Sequence, residues 1–201
     1  MFVLLRAESA CGMEKGDWIT RLRALYLHPN DRSGSVSTIP HSGVSVSNAW
    51  TPELDISYMF TKNLGLELIL ATSYHKLDGK GVLSGTRIGT TWLLPPVLTL
   101  QYHFFPEEMV QPYVGVGGNF SYFYKEHCSL AHTHLHLSSS WGPAVNAGVD
   151  ICFTRNRKWF FNFDVKYVWI YTKAHLHGQT AGTVGVHIDP WIFGLGIGRR
   201  W

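Results

Sequence analysis

The sequence predicts an all-β protein, an eight-stranded antiparallel up-and-down transmembrane β-barrel. Three observations predict it. Apolar and polar residues alternate at period two in eight separate stretches. The connections between those stretches are long and short in turn, as in a barrel with loops at one end and turns at the other. No window approaches about 18 uninterrupted apolar residues, so a membrane-spanning helix is absent and a closed barrel is the other way to cross a bilayer.

The first stretch, Trp18 to Leu27, puts Trp18, Leu22, Ala24 and Tyr26 on one face and Arg21 and Arg23 on the other. The second, Glu53 to Thr61, sets Leu54, Ile56, Tyr58 and Phe60 against Asp55 and Ser57. The third, Leu64 to His75, sets Leu64, Leu66, Leu68 and Leu70 against Glu67 and Ser73. The fourth, Val97 to Phe104, sets Leu98, Leu100, Tyr102 and Phe104 against Thr99, Gln101 and His103. The fifth, Pro112 to Tyr124, alternates Val114, Val116, Phe120 and Tyr122 with Gly115, Gly117, Asn119 and Ser121. The sixth, Trp141 to Phe153, alternates Val145, Ala147, Val149 and Ile151 with Asn146 and Asp150. The seventh, Trp159 to Tyr171, alternates Phe161, Phe163, Val165 and Tyr167 with Asn162, Asp164 and Lys166. The eighth, Ile188 to Trp201, alternates Trp191, Phe193, Leu195 and Ile197 with Gly194, Gly196 and Gly198.

Short connections fall at Lys62-Asn63, Pro106 to Gln111 and Arg155 to Lys158. Long ones run His28 to Pro52, Lys76 to Pro96, Lys125 to Ser140 and Thr172 to His187. Both ends of the barrel chain are therefore expected on the periplasmic side. A soluble lipocalin-type barrel shows the same alternation with its apolar face inward. Two features favour the membrane. The apolar faces carry aromatics near strand ends, where interfacial girdles form. The opposite faces carry glycines and charges of both signs, a set that pairs across a narrow lumen.

Composition narrows the reading. A formal charge of +3 over 201 residues is too small and scattered for nucleic-acid binding. The three cysteines, Cys11, Cys128 and Cys152, are too few and of odd number for a disulfide framework. Cys128 falls in a long connection and Cys152 beside a short turn, so they belong at opposite ends. Residues 1–13 are expected to be a residual or truncated signal segment, with the barrel domain over 14–201. Met1 to Leu5 is apolar but short for a secretory signal, and Ala7-Glu8-Ser9-Ala10 faintly resembles a cleavage site.

Several ordered motifs resemble the OmpW family. Asn63-Leu64-Gly65-Leu66-Glu67-Leu68 lies in the third strand, and Leu94-Pro95-Pro96 precedes the fourth. Pro112-Tyr113-Val114-Gly115-Val116-Gly117 opens the fifth. Ser140-Trp141-Gly142 and Gly148-Val149-Asp150 mark the sixth, and Ile188-Asp189-Pro190-Trp191 opens the last. The resemblance spans Trp18 to Trp201. It implies an outer-membrane barrel with an apolar lumen, associated with passage of small hydrophobic compounds. Two departures stand out. The sequence closes Gly198-Arg199-Arg200-Trp201, which makes Arg199 snorkel from a lipid-facing position. The third long connection is also rich in histidine.

Strand direction assigns a depth to each inward residue. Arg21, Arg23, Glu67, Asp150, Asp164 and Lys166, with Gln101 and His103, fall low and are expected to form a paired-charge plug. Leu25, Leu27, Ile69, Val97, Val168, Ile170 and Ile192 fall at mid-depth or above and are expected to line an apolar funnel for ligand. Asp55 is expected in the upper half, as an exception. The alternative is that these side chains simply fill a small barrel. A solute in the funnel meets a charged plug and must leave sideways. Proline donates no backbone N–H to a ladder. Pro95 and Pro96 therefore point to a lateral opening between the third and fourth strands, near Trp92, Leu94 and Val97. The alternative is that they only end a loop.

No hydrolase elbow, phosphate loop or paired-carboxylate motif is present, so neither enzyme activity nor a cofactor is expected. His132, His134 and His136 place three imidazoles on one side of an extended segment, a pattern suited to zinc, copper or nickel. The alternative is a solvated surface loop. The expected partners are outer-membrane lipid and small hydrophobic solutes. A rival reading is a structural or adhesive barrel with a closed lumen, whose loops bind proteins or phage.

Overall fold

A computed structural model describes residues 12–130, 132–154, 156, 158–178 and 182–201. Met1 to Leu5, the Ala7–Ala10 segment, Cys11 and Arg155 lie outside the described residues. The strands, in chain order, are β1 (Trp18–His28), β2 (Arg32–Ser33), β3 (Ser42–Val46), β4 (Ala49–Met59), β5 (Leu64–Ala71), β6 (Ser73–Gly81), β7 (Arg87–Leu94) and β8 (Val97–His103). They continue with β9 (Val110–Cys128), β10 (Thr133–Leu137), β11 (Ser140–Cys152), β12 (Trp159–Val168), β13 (Tyr171–Gly178), β14 (Gly182–His187) and β15 (Trp191–Arg200).

Eight of these close into a barrel in the order β1-β4-β5-β8-β9-β11-β12-β15 and back to β1. Every neighbouring pair is antiparallel. The alternation sets the facing. Leu22, Leu68, Leu98, Val116, Phe163 and Leu195 are exposed on the outside, while Arg21, Glu67, Thr99, Asp164 and their neighbours are buried inside. Aromatics mark two outer levels. Trp18 with Tyr58 and Tyr102 with Phe104 lie low, and Tyr26 with Trp50 and Tyr167 with Trp191 lie high. An apolar belt between two aromatic girdles is the surface of a barrel seated in lipid. Arg199 stays at the lower rim, with its guanidinium 5.2 Å from the Trp159 ring centre and 3.9 Å from that of Trp201.

The four long connections differ from the loops expected of them, because they carry strands. β3, β6, β7 and the upper part of β9 form one sheet above the barrel, and β10, β13, β14 and β2 form a second. Val44, Leu77, Leu93 and Phe123 from the first share one buried cluster with Leu135, Leu176, Val184 and Val186 from the second. β2, β3, β10 and β14 read as loops because they have only two to six residues, and β6, β7 and β13 because their inward residues mix Ser, Thr, His and Ala with the apolar ones. They form because their inward alternate residues bury against one another. β9 shows how far the wall extends. Its 19 residues, at about 3.3 Å each and a tilt near 40°, rise roughly 45–50 Å, against an apolar band of about 25 Å.

Candidate functional site

The interior is layered. At the lower mouth, Met13, Ile19, Met59, Cys152 and Phe160 form an apolar cluster. Met13, on the terminal side of the expected domain boundary, is tied in by its N–H to the Pro106 carbonyl at 3.0 Å. Cys152 lies in this cluster and Cys128 near the upper rim, at opposite ends as expected.

Above that cluster sits an ion-pair floor. Arg21 donates to Asp150 at 3.2 and 2.7 Å, to Ser57 at 3.0 Å and to Asp55 at 3.3 Å. Arg23 donates to Asp55 through Nε at 2.8 Å and to Glu67 at 2.9 Å, and it contacts Glu53 at 3.0 Å and Asp164 at 3.2 Å. Lys166 reaches Glu53 at 2.9 Å and Asp164 at 2.7 Å. These three cations thus face five carboxylates, and neutral donors offset the surplus. The Tyr113 hydroxyl donates to Asp164 at 2.8 Å, Asn162 to Asp150 at 2.7 Å and Thr99 to Glu67 at 3.1 Å. The six plug residues expected from the sequence are brought together here, with Gln101 bonded to Glu67 and His103 bonded to Gln101.

Inward glycines make room for this layer. A Cβ at Gly148 would lie 2.4 Å from the Tyr113 hydroxyl, and one at Gly198 would lie 2.3 Å from the Phe160 ring.

Two acids were misplaced or missed by sequence reasoning. Asp55 pairs in register with Arg21 and belongs to the floor, not to the upper half. Glu53 caps the floor against Lys166. Both errors come from starting the second strand at Glu53, when β4 begins at Ala49 and runs through Pro52. Tyr113 was visible only as part of a family motif.

The apolar layer lies directly above. Leu25, Leu27, Ile69, Val97, Val168, Ile170 and Ile192 line one small cavity with Ala71, Leu93 and Pro95, and Glu53 and Lys166 lie at its base. Its void is about 20 Å³. A second void of about 20 Å³ lies above it, lined by Val44, Val46, Leu77, Phe123, Leu137 and Val186 with His75. Each has room for roughly one water. The upper interior is apolar and packed, because inward residues of the two rim sheets fill the space an open funnel would occupy. His75 is held there by Ser73 Oγ at 2.8 Å and the Ser47 carbonyl at 2.9 Å.

The wall beside the cavity is interrupted. Ile69 pairs with Val97 and Ser73 with Leu93, while no ladder joins the residues between them. The register is the same on both sides, so Ala71 sits opposite Pro95. Successive residues of an antiparallel strand direct their backbone groups to opposite neighbours. The Pro96 carbonyl accepts from Phe120 N–H on β9 at 3.0 Å. Pro95 therefore faces β5, and it has no N–H to offer Ala71. Pro52 does the same on the other side. Phe60 N–H on β4 bonds toward β5, so even-numbered Pro52 faces Thr72 and again offers no donor. The Thr72 carbonyl accepts the Thr51 hydroxyl instead. On the outside, the hydroxyls of Thr72 and Tyr124 bond at 2.6 Å across the break. Trp92 packs at a tilt against Tyr74 and Tyr124, and Leu94 is half-buried on the same outer face.

The histidines expected as a metal cluster separate. His132 lies in a turn with a φ of 51°, outside β10, while His134 and His136 lie exposed on that strand.

Comparison with known proteins agrees with this architecture. The sequence profile of the OmpW family matches residues 14–201. Outer membrane protein W of Vibrio cholerae is 34% identical over 198 residues, covering 94% of this chain and 90% of that protein. The dibenzothiophene metabolism operon protein PahQ of Pseudomonas aeruginosa is 29% identical over 127 residues, covering 63% of this chain and 59% of that protein. The crystal structure of the outer membrane protein OprG from Pseudomonas aeruginosa superposes with a TM-score of 0.87 at 29% identity, covering 94% of this chain and 98% of that one. Matched across its barrel in sequence and in fold, this chain belongs to the OmpW family and is a β-barrel of the outer membrane.

Proposed function

We propose that the barrel admits small apolar molecules at its outer rim, holds them in the apolar layer above the ion-pair floor, and releases them sideways into the membrane. It does so without chemical change to the solute. The observation that carries the reading is a juxtaposition. The interrupted wall at Ala71, Thr72, Leu94, Pro95 and Pro96 lies beside the apolar cavity and above the floor. A solute leaving apolar surroundings for saturated ion pairs would lose its enclosure and gain no partner. Passage through the wall keeps it in apolar surroundings throughout. The rim sheets must part for a solute to enter, because the voids as packed hold about one water each. One relative takes its name from a dibenzothiophene metabolism operon, and dibenzothiophene is a small apolar aromatic.

The test uses intact cells carrying the barrel in the outer membrane, with naphthalene as the apolar probe and an ionic dye as its control. Ala71→Cys with Pro95→Cys places two thiols across the break. Naphthalene uptake should fall toward the barrel-free rate when the pair is oxidised and return on reduction, with the dye excluded throughout. Uptake that ignores the crosslink overturns the lateral route. Uptake no faster than in barrel-free cells leaves the structural, closed-lumen reading in its place.

A further inference from the structure

Two His-x-His segments lie side by side at the top of the molecule. β10 carries His134 and His136, and β13 carries His175 and His177. The strands are antiparallel neighbours, with His134 opposite His177 and His136 opposite His175. Leu135, Leu137, Ala174 and Leu176 alternate with them and are buried. Period-two alternation therefore puts all four imidazoles on one outer face. Three of the rings form a row. The centroids of His136 and His175 are 6.5 Å apart, and those of His175 and His177 are 6.2 Å apart.

The hydrogen bonds orient two of these rings. Nδ1 of His136 lies 3.3 Å from a Glu126 carboxylate oxygen, and the other oxygen of that carboxylate accepts Leu137 N–H at 2.7 Å. Nδ1 of His175 lies 3.3 Å from the Thr183 hydroxyl. In both rings the bond is made by Nδ1, which leaves Nε2 as the nitrogen for a metal. An imidazole whose far nitrogen is held by a carboxylate or hydroxyl is the arrangement that fixes a metal-ligating histidine. A merely solvated face has no need of this composition. Neutral imidazoles gain little from facing each other, and protonated ones repel directly across a ladder.

We propose that the outer face of β10 and β13 binds a divalent late transition metal ion, zinc or copper, through His136, His175 and His177, with His134 or water completing the shell. Imidazole suits both ions. Bonds of about 2.0–2.1 Å require the rings to converge from their stacked positions. The site therefore needs the rings to rotate about their side-chain bonds, His136 and His177 from exposed positions and His175 from a half-buried one. His132 has no part in the site. The inference is independent of the uptake reading, since the site lies on the outside of the rim.

The test is titration calorimetry of the purified, detergent-folded barrel with Zn²⁺ at neutral pH. One saturable site per chain is expected. His136→Asn with His175→Asn should abolish saturable binding. Glu126→Gln should weaken it roughly tenfold, and His28→Asn, on the barrel wall, should leave it intact. Heat-dependent gel mobility confirms that each variant is folded. A parent barrel with no saturable uptake overturns the proposal, and so does a folded double variant that binds as the parent does.

Discussion

The lower and upper halves of the interior share the same eight staves and are filled by opposite means. Below, Arg21 and Arg23 on β1 bind side chains on β4, β5, β11 and β12. Above, Leu25 and Leu27 on the same strand meet Ile69, Val97, Val168, Ile170 and Ile192 with no hydrogen bond between side chains. The first set is directional, and every charge is placed by several partners at once. The second is held by burial and dispersion, which tolerate rearrangement so long as area stays covered. The floor is thus held by directional bonds and the top by non-directional contact, and the proposed uptake asks re-packing of the top alone. The wall follows the same division, with continuous ladders beside the floor and the proline-bounded break beside the apolar layer.

The largest test of this contrast is Arg23→Met. It leaves Glu53, Asp55, Glu67 and Asp164 without their shared cation, and breaking a buried pair costs about 3–5 kcal/mol. Urea unfolding of the lipid-embedded barrel measures the loss. Lys166→Met should fall at the lower end of that range. Adding Glu53→Gln to it should recover part of the loss by removing the stranded charge. A double variant as unstable as the single one would place the floor's worth in packing rather than pairing.

A smaller effect separates the two faces of one strand. Glu67 is fully buried among donors, while Leu68, its neighbour in sequence, is exposed on the outer face. Leu68→Asp places a carboxylate in hydrocarbon with no partner. It should cost about 2 kcal/mol, since cations at mid-bilayer cost roughly 2–4 and acids somewhat less. Unchanged stability in lipid would invert the facing of β5.

The smallest expected effect is at the break. Tyr124→Phe removes the hydroxyl bond to Thr72, a loss of about 0.5–1.5 kcal/mol. Amide exchange should quicken at Ala71, Thr72 and Leu94 and stay unchanged at Arg21 and Asp55. Equal acceleration in both places would show that the two halves open together and end the distinction drawn between them.

Much of this was legible in the sequence. Strand count, order and facing follow from alternation and connection length, and Arg21, Glu67, Asp150, Asp164 and Lys166 were placed together by depth alone. The depth of Asp55 was not, because Pro52 reads as a strand boundary. A proline costs little where the partner carbonyl is met by another donor, here the Thr51 hydroxyl on the Thr72 carbonyl, and β4 passes through it. The rim sheets were hidden for another reason. β3 and β14, of five and six residues, are too short to show a pattern, and burial arises only when the two sheets meet. The second histidine pair, His175 and His177, became relevant through register, which no local spacing reveals.

The pairing of β1 with β15 also fixes an order of assembly. Ile19 meets Arg200 and His28 meets Trp191, partners separated by most of the chain. Joining segments about 170 residues apart carries a loop-closure entropy of roughly 4–5 kcal/mol, and that cost falls before the ladder repays it. The other neighbouring barrel strands are joined by connections of at most about 25 residues, whose closure costs roughly 2 kcal/mol less, so ring closure comes last. Until then β1 is an open edge whose arginines can reach Asp55 on β4 and Glu67 on β5, both early in the chain. Their bonds to Asp150 on β11 and Asp164 on β12 wait for the final strand. The floor is thus assembled in stages: Arg23 meets Glu53, Asp55 and Glu67 as the first strands pair, Lys166 meets Asp164 within β12, and the bonds of the two arginines to β11 and β12 need the ring to shut.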